Sequence, residues 1–89
     1  MQGNCVKINE WDNVVIAIEA IKAGQGLTGV DGLDLDAAED ILKNHKVAIR
    51  RIEKGSPVIK YGEGIGLASK DIQPGQWVHT HNIKAEEEE

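Results

Sequence analysis

The sequence predicts a small, mainly β domain of short strands and tight turns, with an internal duplication. Three observations carry this. The apolar residues are mostly Ile, Val, Leu and Ala, with no Phe and only Trp11, Trp77 and Tyr61 as aromatics. Ten glycines are spread over 89 residues, and a β-branched composition rich in glycine favours strands and turns over helices. Finally, one pattern of Ala, Ile, Gly and an aliphatic residue recurs along the chain at fixed internal spacing.

Taken in order, Val6–Ile8 reads as a first strand, closed by a turn at Asp12-Asn13, residues that bond their own backbone. Val14–Glu19 is the second strand, and Lys22-Ala23-Gly24 turns the chain. Residues 28–34 carry Gly29 and Gly32 and read as loop. Residues 36–43 have acids early and Lys43 late, which suits a short helix. The repeat runs through that segment, however, so it is read as turn. Lys46–Arg50 is a strand, followed by the turn Glu53-Lys54-Gly55 and the strand Pro57–Tyr61. Gly62, Gly64 and Gly66 leave one face nearly bare, which suits a bulge or a close backbone crossing before the strand Ile65–Ala68. Gln73-Pro74-Gly75 has turn chemistry, and Trp77–His81 is the last strand. Residues 1–83 form one domain; 84–89, ending Glu86-Glu87-Glu88-Glu89, are expected to be a disordered acidic tail.

The repeat reads Ala17-Ile21-Gly24-Leu27, Ala37-Ile41-Asn44-Val47, Ala48-Ile52-Gly55-Val58 and Ala68-Ile72-Gly75-Val78. Asn44 stands in a glycine slot, and Asn best replaces Gly where the backbone turns left-handed. The spacing implies a 31-residue unit, 17–47 matching 48–78, with eight identities. Strand–turn–strand spacing is common to any β-rich chain, but the matched identities favour duplication.

A chain of 89 residues makes one domain and buries roughly 60% of its unfolded surface, so its stability margin is thin. Cys5 is the only cysteine, which removes disulfide staples and metal fingers and fits a reducing compartment. Neither a signal peptide nor an apolar run of membrane-spanning length is read, so the expected location is the cytoplasm. The net charge of −5 argues against a nucleic-acid partner.

The densest chemistry is Val78-His79-Thr80-His81-Asn82. On an extended strand His79 and His81 share one face, Thr80 and Asn82 the other. Two neutral imidazoles there are half of a metal site or a pair of acid/base groups, and equally the ragged end of a strand. Asn44-His45-Lys46 follows a turn and can present a proton donor and a cation to an anion. Lys60 can pair with a carboxylate.

In order, Asp12-Asn13-Val14, His45-Lys46-Val47-Ala48, Val58-Ile59-Lys60-Tyr61-Gly62 with Ile65-Gly66, and Val78-His79-Thr80-His81-Asn82 resemble the N-terminal SAF domain of the altronate/galactarate dehydratase family. That family includes the small subunit of sulfolactate sulfo-lyase. The resemblance covers the chain from about Val6 to Asn82. It implies a β-clip fold, β-elimination from a sugar acid, a divalent metal (iron(II)) shared with a large catalytic subunit, and inactivity of this chain alone. It makes His79, His81 and His45 catalytic groups, with His79 and His81 also metal ligands, and makes Lys46, Lys60, Asp12, Asn13 and Asn82 substrate-binding. Two departures stand out: Asn9 where the family often has His, and Asn44 where it has Gly. A binding or assembly module without chemistry is the alternative class.

Overall fold

The computed structural model describes residues 3–85. The fold is mainly β, with no helix among the described residues and therefore none long and apolar enough to cross a membrane. Seven strands follow in order: β1 (Cys5–Val6), β2 (Val14–Ala17), β3 (Lys46–Ala48), β4 (Pro57–Lys60), β5 (Glu63–Ala68), β6 (Trp77–Val78) and β7 (Ile83–Lys84). They form two antiparallel sheets, ordered β1-β2-β3-β6 and β4-β5-β7.

Several strands are shorter than the sequence predicts. The first strand is Cys5–Val6 and stops before Ile8; it pairs with Ile16 and Ala17 of β2 and then leaves the sheet toward the turn at 9–12. The last predicted strand stops at Val78. Lys84, read as tail, closes β7 against Leu67 of β5. The acidic run 86–89 lies outside the described residues. Segment 36–43 is turn, as expected, pinned by the bridges Gly26–Asp36 and Ile21–Ile41.

The duplication is visible in the backbone. Ile21 bridges Ile41, and 31 residues on, Ile52 bridges Ile72. The N–H of Gly24 donates to Ala37 O at 2.7 Å, and that of Gly55 to Ala68 O at 2.8 Å. The N–H of Asn44 donates to Ala17 O, and that of Gly75 to Ala48 O, both at 2.7 Å. Asn44 and Gly75 are both left-handed, at φ 72 and 90, which explains why Asn can fill the glycine slot. Asp40 Oδ1 accepts from Ala23 N, and Asp71 Oδ1 from Lys54 N, both at 2.9 Å.

Each unit has its own core. Ala17, Ile21, Leu27, Ala37, Ile41 and Val47 pack in one. Their counterparts Ala48, Ile52, Val58, Ala68, Ile72 and Val78 pack in the other. The sheet β1-β2-β3-β6 lies between the two. Val15 and Val47 face the first core, and Val14 and Ala48 the second, as alternation along a strand requires. A strand covered on both faces reads as an apolar run, and Val14–Ala17 is one.

The expected glycine-rich bulge is also present. Pairing of β4 with β5 shifts between Val58 and Ile59, and a Cβ on Gly66 would stand 2.6 Å from Lys84 O.

Candidate functional site: a lysine pair and a histidine–tryptophan cluster

The His79–Asn82 run is a turn, which corrects the expectation of an extended strand. Asn82 makes it one. Its Oδ1 accepts from His79 N at 2.9 Å, and its Nδ2 donates to Trp77 O at 2.8 Å. His79 O in turn accepts from the N–H groups of Asn82 and Ile83, both at 3.1 Å. A side chain that bonds the backbone three residues back competes directly with strand pairing. Asn82 is buried, and both polar atoms of its side chain are engaged by backbone.

The turn gathers the three histidines around Trp77. Antiparallel pairing of β3 with β6 sets Lys46 opposite Val78, and so His45 beside His79, with ring centroids 4.7 Å apart. Trp77 Nε1–H donates to His45 Nδ1 at 2.9 Å, which leaves His45 its proton on Nε2 when neutral. The indole stacks on His79 at 5.4 Å and 11°, and His81 lies 4.7 Å from it at 39°. His81 is the exposed imidazole of the three.

These rings do not make a metal site by themselves. His79 is stacked on the indole, the other ring pairs are tilted by 34–40°, and His45 Nδ1 is taken by the indole N–H. Among the described residues no three His, Cys, Asp or Glu side chains are grouped to hold an ion. Every buried side-chain nitrogen and oxygen among them also has a partner, so none is left waiting for a ligand.

Lys46 lies on the other face of the sheet. Val47 and Trp77 pack toward the first core, so Lys46, like Val78 opposite it, faces the second. Burial, and then the nearby charge of Lys60, pushes its pKa below the ordinary lysine value. Lys60 ends β4 and sets its ammonium 4.8 Å from the centroid of the Tyr61 ring. The ion pairs among the described residues are Arg51–Glu53 and Arg51–Asp71, and neither lysine enters one. Two neighbouring ammoniums outside any salt bridge, with Glu63 the cross-strand partner of Lys60, offer a place for an anion. Of the eight residues expected to share a site, Lys46 and Lys60 thus lie on one side of the sheet and His45, His79 and His81 on the other.

Asp12 and Asn13, expected to bind substrate, are buried and bonded to backbone. Asp12 is 1% exposed. Its Oδ1 accepts from Gly62 N at 2.7 Å and its Oδ2 from Asn9 N at 3.1 Å. Asn13 Oδ1 accepts from Ile59 N at 2.7 Å, and its Nδ2 donates to Pro57 O at 3.0 Å. Asn13 thus holds β4 to the start of β2, and Asp12 holds the hairpin turn at Gly62 to the 9–12 loop. Asn4 was missed by sequence reasoning and does the same for the first unit. It bonds Thr28 N at 2.8 Å and Gly26 O at 3.0 Å, the positions matching 59 and 57. The available signal was Asn4-Cys5-Val6 echoing Asn13-Val14-Val15. Trp77 was also missed, because nothing local in the sequence gives the register that surrounds it with histidines.

Residues 3–86 match the family model of the altronate/galactarate dehydratase SAF domain. The chain belongs to this family. It is 38% identical over 79 residues to an altronate dehydratase of Bacillus subtilis, and 39% identical over 79 to one of Escherichia coli. Each match covers 89% of this chain but only 16% of the relative. It is 39% identical over 75 residues to a (2R)-sulfolactate sulfo-lyase subunit alpha of Chromohalobacter salexigens, covering 79% of this chain and 80% of that one. The chain therefore spans about one sixth of the dehydratases it matches, and most of the sulfo-lyase subunit. Asn9, read in the sequence as a departure from the family pattern, lies against Gly62 at the hairpin tip.

Proposed function

We propose that this SAF domain works with a large catalytic part in a lyase of the altronate dehydratase type, and that Lys46 and Lys60 hold the carboxylate of a 2-hydroxy sugar acid. The observation that carries the reading is the pair of neighbouring ammoniums, neither of them in a salt bridge. In the elimination a proton leaves the carbon next to the carboxylate and hydroxide leaves the next carbon. Negative charge builds on the carboxylate side as the proton departs, and fixed cations there stabilise it more than they stabilise the ground state.

His81 is the imidazole positioned to meet the large part, as a proton carrier or as one donor to the iron(II) that family membership implies. His45 and His79 hold it through Trp77 and are positioning residues in this reading. Any metal would be held mainly by the large part, since among the described residues no three His, Cys, Asp or Glu side chains are grouped to hold one.

The test is elimination by the chain mixed with its large part, on altronate, galactarate and sulfolactate, with and without ferrous iron. Lys46→Met with Lys60→Met is expected to raise KM and lower kcat, and the chain alone is expected to be inactive. Unchanged kinetics in the double variant would refute the role of the lysines. Tight binding with no effect on turnover would establish a non-catalytic module instead. A second reading, a sulfo-lyase subunit, is favoured by coverage, since the chain matches 80% of a sulfo-lyase subunit alpha but 16% of a dehydratase; the substrate panel separates the two.

A further inference from the structure

We propose that the tip of the β4–β5 hairpin, centred on Tyr61 with Ile8 and Trp11 beside it, is the surface by which this domain docks on the large part of the enzyme. Tyr61 and Gly62 are the central residues of a two-residue turn between Lys60 and Glu63, and both are left-handed, at φ 59 and 78. Such a turn suits the twist of a hairpin but asks for Asn, Asp or Gly at its first position. A bulky aromatic residue there is an outlier. The core does not compensate for it, because Tyr61 is 54% exposed. Strain kept at an exposed position points to something the side chain does outside its own fold.

Two neighbours extend the surface. The Asn9 side chain lies so close to Gly62 that a Cβ there would stand 2.9 Å from Nδ2. Asp12 Oδ1 accepts from Gly62 N at 2.7 Å. These contacts fasten the 9–12 loop to the hairpin tip and carry Ile8 and Trp11 with it, 54% and 68% exposed. Large apolar side chains at one end, beside the Lys60 ammonium, have the apolar centre and charged rim of a docking surface.

The occupant follows from the relatives. The same stretch forms 16% of a dehydratase but 80% of a separate sulfo-lyase subunit alpha. A separate chain of this kind has no tether and must recognise its partner through its own surface. Docking at the tip would also bring Lys60, and Lys46 behind it, to the seam where the substrate lies. This inference rests on the lyase reading.

The variant Tyr61→Gly separates docking from folding, because glycine accepts the left-handed backbone. With the large part as titrant in calorimetry, wild type is expected to bind. Tyr61→Gly is expected to melt no lower than wild type and to bind about tenfold or more weakly, as loss of an aromatic anchor does. Trp11→Ala is expected to weaken binding as well. Equal affinity for wild type and the Tyr61→Gly/Trp11→Ala double variant would overturn the docking surface and leave the lyase reading standing. No binding by wild type would overturn the lyase reading itself. A wild-type dimer in sedimentation that Tyr61→Gly dissolves, with unchanged affinity for the large part, would also overturn the proposal, assigning the surface to self-association.

Discussion

Replacing Asn13 by Ala distinguishes a residue that holds the fold from one that holds substrate. The side chain accepts from Ile59 N at 2.7 Å and donates to Pro57 O at 3.0 Å. Each such bond contributes about 1 kcal/mol net, and a donor left unpaired away from water costs a further 1–3 kcal/mol or so. Pro57 is exposed, so water can reclaim its carbonyl; Ile59 is half-buried, so its N–H bears most of the penalty. The expected loss is about 2–3 kcal/mol. A domain of this size has roughly 5–13 kcal/mol in all, at about 0.05–0.15 kcal/mol per residue. In urea, with a slope near 1–1.5 kcal/mol per molar, the midpoint should fall by about 2 M. Asn4→Ala, which removes the matching bonds to Thr28 and Gly26, should cost a similar amount. An unchanged midpoint for Asn13→Ala together with a raised KM in the assembled enzyme would show that Asn13 binds substrate after all.

The equivalent core positions give a second test: Ile41→Val and Ile72→Val should each cost about 1 kcal/mol and add to within about 0.5 kcal/mol, since they lie in separate cores. A silent change at either position would contradict the duplicated packing. Lys46 is a cost to the folded state at neutral pH, because its folded pKa is depressed, and stability should recover as pH rises from that value toward the unfolded lysine value. Lys46→Met should be more stable than wild type at pH 7, with the gap closing in alkali, in paired urea titrations. Cys5 acts in the opposite sense, its thiol pushed up by burial to about 11, so stability falls as pH climbs past the unfolded cysteine value; it is common to both chains and cancels in the comparison. Gly62→Ala should lower Tm, being left-handed and within 2.9 Å of Asn9, whereas Gly64→Ala, with its nearest neighbour at 3.9 Å and no positive φ, should cost much less.

What was legible in the sequence was whatever depends on local chemistry repeated at a fixed offset. Gly24, Gly55 and Gly75, with Asn44 in the fourth slot, mark left-handed turns, and the matched alanines and isoleucines mark the two cores. Strand ends were less legible, because they depend on side chains bonding backbone. Asn82 converts an apparent strand into a turn, and Asp12 and Asn13 fix where β2 begins. The candidate residues could be read from the sequence, but their arrangement could not. His45 meets His79 only because β3 pairs β6 in one register, and that same register sends Lys46 to the opposite face. Trp77 gave no local signal, since its importance lies wholly in what pairing places around it.

The offset of 31 residues that relates the two units also relates Val15 to Lys46 and Lys46 to Trp77. One address in the frame is thus written three times, as a core valine, a cation and an indole, on three successive strands of one sheet. Because the operation that superposes the units exchanges the faces of that sheet, the cation and the indole emerge back to back and neither crowds the other. Copying a small scaffold next to itself supplies spare addresses. One copy can keep the residue that packs while the others take on new chemistry, so a chain of this size can acquire two distinct surfaces without any new architecture.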